Sequence, residues 1–249
     1  MQTRNLVCTT ALGIVALMSA CTKKGDTGPA GPSGPSYTGA ISGHVSLFDQ
    51  YGGKVLTGLN VPALQLNSGT PVNPDNNGYY IFNNTTTGDY TLSASASGYA
   101  STKVNKFQYL SDTLNRDIKL SAIPSFSPTA ITVYSAIAAP GDSVIINFNA
   151  DAQARNCIIF INSNSTVGNT PANYLVAYTK AIPANQTKIT ISLSANDLHD
   201  AGITSGSTFY IAAYGYVVAD ASVYEDIATG KNVYNAVSVS PLTASAVAP

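Results

Sequence analysis

Two histidines and a scatter of aspartates offer the clearest acid–base and metal-binding chemistry in this sequence. His199 lies beside Asp197 and Asp200, and imidazole with carboxylates is a set of ligands that could form a weak metal site. A solvated helical turn at 197–200 is the alternative and needs no ion. His44 falls on the polar side of an alternating segment, where we expect a surface or half-buried position.

Motifs for catalysis are absent from the sequence. It contains no G-x-S-x-G, no H-E-x-x-H, no P-loop and no G-x-G-x-x-G. Glu225 is the single glutamate, so glycoside hydrolysis would require a pair of aspartates instead of the usual glutamates. The segment 75–78 gathers oxygen atoms but lacks the calcium-loop spacing, and a hairpin turn explains it. We therefore expect no enzyme, no catalytic residue, no metal and no cofactor.

The first twenty residues have the order of a secretion signal. Positive charge, including Arg4, precedes an apolar run from Leu6 to Met18 and then small residues. The run is too short to span a bilayer stably. The segment Leu17-Met18-Ser19-Ala20-Cys21 resembles the lipobox of bacterial lipoproteins, with Met18 where leucine is usual. The resemblance implies cleavage after residue 20, lipid on the Cys21 thiol, and thus a membrane lipid as partner; an ordinary signal peptide is the alternative.

Localisation follows from the residues after the anchor. Thr22, rather than aspartate, follows Cys21, which by the enterobacterial sorting rule predicts the outer membrane of a cell envelope. Lys23 and Lys24 occupy the place of the acidic run that commonly marks surface export, so the sequence leaves open whether the protein faces the periplasm or the cell surface.

The other two cysteines have no partner in this interpretation. Cys8 leaves with the signal. Cys157 stands in an apolar run, where a free thiol behaves as a small hydrophobe.

Composition predicts an all-β protein and excludes one class of partner. Thr, Ser, Val, Ile, Tyr, Gly and Asn are abundant, as in strands and turns. Without residues 1–20 the chain carries 11 Lys and Arg against 13 Asp and Glu, so it offers no electrostatic footprint for nucleic acid.

Residues 21–37 combine the lipidated cysteine with a collagen-like spacer. Glycine recurs at 25, 28, 31 and 34, and proline follows three of these glycines. Four G-x-y triplets are typical of a semi-rigid polyproline II stalk. A trimerisation stem is the alternative, and it would change the oligomeric state.

Residues 38–122 alternate in the manner of a β-sandwich. Ile41, Val45 and Leu47 share one face of the opening strand, and turns follow at 49–53 and 75–78. We expect further strands at 59–66, 79–82, 90–96 and 118–120. Four segments in this order resemble the carboxypeptidase regulatory-like domain. They are Ile41-Ser42-Gly43-His44-Val45, Asp75-Asn76-Asn77-Gly78-Tyr79-Tyr80-Ile81-Phe82, Gly88-Asp89-Tyr90-Thr91-Leu92 and Gly98-Tyr99. That resemblance implies a transthyretin-like, non-catalytic module of the kind found in surface proteins of Bacteroidetes-type bacteria.

Residues 126–249 predict a second sandwich, similar to immunoglobulin or fibronectin type III domains. A turn at 140–142 precedes a period-two strand at 144–148, and 157–161 is apolar on both faces, as in a central strand. Further strands are expected at 174–178, 189–193, 209–214 and 233–239. The long connection 215–231 is where such folds place binding residues.

Glycan binding would require aromatic platforms, and the chain has no tryptophan. Tyr79, Tyr99, Tyr214 and Tyr216 are therefore the candidate ligand contacts, with ordinary packing as the alternative. Thr113 and Ser143 each follow an aspartate and precede an apolar residue, which resembles the acceptor of Bacteroidetes-type O-glycosylation.

Together these features predict a non-enzymatic, membrane-anchored envelope lipoprotein that presents two β-sandwiches for binding or scaffolding. Two alternatives remain open: a glycan-binding accessory protein of a polysaccharide uptake system, and a structural or adhesive surface component. Glycan and envelope protein are the corresponding partners.

Overall fold

The computed structural model describes residues 37–110, 112–134, 141–217 and 222–249, all within one compact unit that begins at residue 36. The predicted signal peptide, Cys21 and the spacer as far as residue 36 lie outside the described residues. Within them the chain is built of strands, with one short helix, α1 (Ala195–Asp200), and a 3-10 turn at Pro171–Asn173. The all-β prediction is confirmed. No described helix is long and apolar enough to cross a membrane.

Eight strands precede residue 122 and nine follow residue 129 in the described chain. The first set is β1 (Thr38–Phe48), β2 (Lys54–Val55), β3 (Ala63–Leu66), β4 (Tyr79–Thr86), β5 (Gly88–Ser95), β6 (Thr102–Tyr109), β7 (Thr113–Asn115) and β8 (Ile118–Ser121). The second is β9 (Ala130–Tyr134), β10 (Gly141–Asn147), β11 (Arg155–Asn162), β12 (Val176–Ile182), β13 (Lys188–Ser194), β14 (Thr208–Tyr216), β15 (Val223–Asp226), β16 (Lys231–Tyr234) and β17 (Leu242–Val247).

The N-terminal sandwich consists of β1–β8. Strand β1 pairs antiparallel with β2 and β4 and parallel with β7 and β8, while β3, β5 and β6 form the facing sheet. Alternation on β1 sends Ile41, Val45 and Leu47 into the core between the sheets, where Leu64 and Leu92 meet them. A side chain at Gly43 would overlap the Arg116 carbonyl, so the close approach of the segment before β8 requires glycine there.

The C-terminal sandwich consists of β9–β14 and β17. One sheet has the order β13-β10-β9 and the other β12-β11-β14-β17. Its core is aliphatic, with Ile159, Ile161 and Ile211 from the four-stranded sheet facing Val144 and Ile146 of β10. As predicted, the run around Cys157 is an interior strand, β11, because both of its faces are buried.

A third layer covers the outer side of the four-stranded sheet. Strands β15 and β16 form an antiparallel hairpin that pairs with no other strand among the described residues. Even-numbered residues of β11 point outward beneath it, so Phe160 is fully buried although it faces away from the core. The hairpin therefore protects an aromatic surface that a simple sandwich would expose.

Several element boundaries predicted from sequence were wrong. The strand predicted at 59–66 starts only at Ala63, because Pro62 and the turn before it stop the ladder. The predicted turn at 140–142 overlaps β10, in which Asp142 is buried and pairs with Leu193 across the ladder; residue 140 lies outside the described residues. Residues 233–239 are not the last strand of the sandwich: Val233 belongs to the hairpin, and β17 closes the sheet.

Candidate functional site

Strand β6 contains a β-bulge that brings two lysines to one side. Tyr90 of β5 pairs with Phe107, whereas Leu92 pairs with Val104, so β6 has one extra residue between these pairs. Val104 and Phe107 both face the core. In a regular strand Lys103 and Lys106 would lie on opposite faces, but the bulge leaves both exposed.

The bulge includes an unusual backbone conformation. Lys106 has φ of 40°, in the left-handed region that residues other than glycine seldom adopt. Strained backbone of this kind concentrates at functional sites, which makes the bulge a candidate position for function.

The hairpin supplies a second wall opposite β6. The Asn105 side-chain amide donates a hydrogen bond to the Glu225 carbonyl, with Nδ2 2.6 Å from the oxygen. The Lys103 ammonium lies over the Tyr224 ring, 5.9 Å from its centroid, within the range of a cation–π contact. These contacts fix the spacing between a strand of one sandwich and a hairpin of the other.

The space between the two walls is the junction groove, with a volume of about 430 Å³. It is lined by residues 103–106 of β6, residues 223–225 of β15, and Ile227. Lys103 also lines a smaller cavity of about 140 Å³ on the outer face of β3, β5 and β6. The junction groove is lined by two lysines, a glutamate, an asparagine and a tyrosine, so it can offer ionic contacts, hydrogen bonds and an aromatic surface together.

Further contacts hold the two sandwiches together around the groove. The Ser121 backbone N–H donates to Ser222 Oγ at 3.0 Å in a buried position, and Asn235 Nδ2 donates to the Ser101 carbonyl at 2.8 Å. A small apolar cluster of Ala100, Val217 and Ala236, with Ile123 against it, lies nearby. Tyr51 of the N-terminal sandwich also donates through its hydroxyl to Asp151 Oδ2 at 3.0 Å.

The hairpin is itself fastened to the C-terminal sandwich. Tyr234 packs on Phe160, with ring centroids 5.5 Å apart, and the Tyr174 hydroxyl donates to the Asn232 carbonyl at 2.6 Å. Lys231 Nζ donates to the Tyr174 carbonyl at 2.6 Å. Burial raises the pKa of Tyr174 to about 12, because its ionised form would lose hydration there. The β15 wall of the junction groove therefore rests on a packed layer.

The four predicted ligand tyrosines are not brought together. Tyr214 and Tyr216 are 7% and 5% exposed and lie inside the aromatic layer under the hairpin, so packing accounts for their rings. Tyr99 is half-buried against the N-terminal core. Tyr79 is exposed, but its neighbour is His44, 5.4 Å away between ring centroids.

The other predicted sites are separate from the junction groove. Asp197 completes a capping box at the start of α1 by accepting hydrogen bonds from the hydroxyl and backbone N–H of the N-cap Ser194, which lower the pKa of the Asp197 carboxyl. His199 and Asp200 are exposed, and the described residues include no cluster of His, Cys, Asp or Glu able to hold a metal. Thr113 is exposed on β7, while Ser143 is half-buried in the middle strand β10; their glycosylation stays a prediction.

Comparison with known proteins gives structural likeness only. No protein-family model and no curated relative matches the chain. A candidate carbohydrate binding protein from Bacteroides uniformis is 17% identical, over 81% of this chain and 98% of that one, with a TM-score of 0.30. A DUF3823 family protein from Parabacteroides merdae is 13% identical, over 74% of this chain and 92% of that one, with a TM-score of 0.27. The chicken CNTN1 FN1-FN3 domains are 9% identical, over 83% of this chain and 63% of that one, with a TM-score of 0.28. Likeness at this level supports no assignment of family or ligand.

Sequence reasoning missed the lysines and Tyr224 of the junction groove. It predicted binding in the connection 215–231, which includes β15, but not the strand opposite. A signal for β6 was present: Thr102 and Val104 share one parity, Phe107 and Tyr109 the other, and such a break in alternation is typical of a bulge.

Proposed function

We propose that this chain is a non-enzymatic lipoprotein of the cell envelope, tethered through Cys21, that binds glycan in the junction groove. The single observation that carries the binding role is that both sandwiches contribute a wall to this groove. A scaffold without a ligand needs no such shared concavity, whereas ligand sites favour clefts at domain boundaries.

The chemistry of the groove favours a glycan over an apolar ligand. Sugar rings have apolar faces edged by hydroxyl groups, so they suit a tyrosine ring beside ammonium, carboxylate and amide groups. Tyr224 and Ile227 provide the apolar part, and Lys103, Lys106 and Asn105 provide hydrogen-bond donors. Among the roles open to an envelope lipoprotein, an accessory protein for polysaccharide uptake fits these side chains.

A structural or adhesive role is the second candidate, and the junction favours it independently. Buried hydrogen bonds and an apolar cluster between the sandwiches make residues 37–249 suited to act as a stiff spacer. Such a component would bind an envelope protein without requiring sugar.

A glycan array read with the purified full chain tests the proposed function. We expect saturable binding to at least one glycan class, lost in Tyr224→Ala and kept in Tyr79→Ala, since Tyr79 is an exposed tyrosine outside the groove. No glycan binding, together with sugar-independent capture of an envelope protein, would favour the structural role instead.

The tether is tested separately by cell fractionation. Cys21→Ala should move the protein from the membrane to the soluble fraction, because the acyl chains that hold it would be missing. Retention of the variant in membranes would count against the lipid anchor without bearing on the groove.

A further inference from the structure

We infer that the junction groove is specific for acidic oligosaccharides, whose sugar rings carry carboxylate or sulfate groups. This inference rests on the proposed function and names the ligand class of the same site. Its basis is the pair of lysines that the bulge in β6 turns toward the hairpin.

The local charge of the groove is opposite to that of the chain. The protein has a formal net charge of −1, yet the groove holds two lysines against the single carboxylate of Glu225. Neither Lys103 nor Lys106 forms an ion pair with a carboxylate among the described residues. Because both ammonium groups are exposed and not neutralised by those carboxylates, they can form charge-assisted hydrogen bonds with an anionic ligand.

The position of Lys106 adds a second argument. Its left-handed backbone would be less strained with glycine, which adopts positive φ freely. What lysine contributes at this position is therefore its side chain, a charge placed three residues from Lys103 on the same side of the strand. Two positive charges along one wall suit a ligand with anionic groups on successive units.

The remaining lining favours acidic sugars over acidic peptides. Charge alone would attract either ligand, but Tyr224 and the half-exposed Ile227 add apolar surface suited to the faces of sugar rings. A volume of about 430 Å³ suits a few sugar rings rather than a folded partner. Lys103 contacts the Tyr224 ring, so one lysine links the charged part of the groove to its aromatic part.

Calorimetry on the purified full chain tests this inference with four probes. They are a galacturonic acid tetrasaccharide, a chondroitin sulfate tetrasaccharide, a neutral galactose tetrasaccharide and a tetra-aspartate peptide. We expect one or both acidic sugars to bind at least tenfold more tightly than the neutral sugar and the peptide, with affinity falling as salt rises from 50 to 200 mM. Because chondroitin sulfate carries both groups, binding of the galacturonic acid tetrasaccharide would show that carboxylates suffice, and binding of the chondroitin sulfate tetrasaccharide alone would show that sulfate is required.

Two variants and one control connect the binding to the bulge. Lys106→Gly keeps a residue suited to positive φ while removing the charge, and Lys103→Gln removes the other ammonium. Each should weaken acidic-sugar binding on the order of tenfold. Lys119 is the exposed residue of β8 and lies outside the groove, so Lys119→Gln should bind as the wild type does.

The outcomes separate this inference from the proposed function. Equal binding of the neutral tetrasaccharide, lost in Tyr224→Ala, would overturn acidic specificity and leave a glycan-binding groove. Equal binding of tetra-aspartate, or wild-type affinity in both lysine variants, would overturn the inference as well. Failure of every saccharide to bind would overturn the inference and count against the proposed function.

Discussion

The outer faces of two sheets in this protein differ in what covers them. In the C-terminal sandwich, the outer face of β12-β11-β14-β17 carries Phe160 and several tyrosines, and the hairpin β15–β16 seals it. In the N-terminal sandwich, the outer face of β3-β5-β6 carries serines and lysines, and it remains open. The hairpin that closes the first face provides a wall for the groove on the second.

This difference indicates that the covered face contributes to stability and the open face to ligand binding. Aromatic side chains buried under the hairpin contribute to the free energy of unfolding, since their apolar area is removed from water. Polar side chains on the open face gain little from folding and stay free for a ligand. We therefore expect mutations on the covered face to lower stability, and mutations on the open face to change binding instead.

The largest expected effect is on the covered face. Phe160→Ala should lower the free energy of unfolding by about 3–5 kcal/mol, because it leaves a cavity among three aromatic rings. Lys103→Ala is the counterpart on the open face and should change it by less than about 0.5 kcal/mol. Urea unfolding measures both; similar losses in the two variants would contradict the contrast between the faces.

A smaller effect is expected at the junction between the sandwiches. Ser222→Ala removes the acceptor of the buried Ser121 N–H and should cost about 1–3 kcal/mol of stability. Ser125→Ala removes an exposed hydrogen bond to Gln50 at the same junction and should cost under about 0.5 kcal/mol. If urea unfolding gave equal values for the two variants, the buried hydrogen bond would not be what holds the junction.

The smallest expected effect on stability is at Cys157, on the inner face of the covered sheet. Burial raises the pKa of its thiol to about 12, against about 8.5 in an unfolded chain. The thiol therefore ionises first in the unfolded chain as pH rises. The contribution of Cys157 to the free energy of unfolding is full below about pH 8.5 and is lost between about pH 8.5 and 12.

In a chain with Cys8→Ser and Cys21→Ser, a thiol reagent at pH 8 should label Cys157 only after denaturant is added. Rapid labelling of the folded chain would show that the sheet opens.

The strands of the two sandwiches with clean alternation were predictable from sequence, and the hairpin β15–β16 that covers the four-stranded sheet was not. Period-two patterns located β1, β10 and β13, each of which has one buried face, and a run that is apolar on both faces located β11. The hairpin β15–β16 gave no such signal, since it packs on aromatic side chains of another sheet rather than completing a ladder. Tyr214 and Tyr216 were predicted as ligand contacts because the chain has no tryptophan, and the pattern of the sequence did not show that the hairpin covers their rings.

The candidate site depended on two features that no local pattern specifies. One is the bulge, where the parity break between Val104 and Phe107 was visible but β6 itself was not predicted. The other is the approach of β15 to β6, which joins Asn105 to Glu225 across 120 positions of sequence. Contacts at such separation arise from the packing of the two sandwiches, so the sequence could predict a binding loop but not its opposite wall.

Hydrogen–deuterium exchange of the full chain with and without a saturating acidic tetrasaccharide tests most directly whether both sandwiches form the binding groove. We expect slower exchange in two separate segments, 102–109 of β6 and 223–234 of the hairpin, with Lys119 and its neighbours on β8 unchanged. Protection confined to one of the two segments, or centred on the exposed Tyr79, would contradict a site built jointly by the two sandwiches.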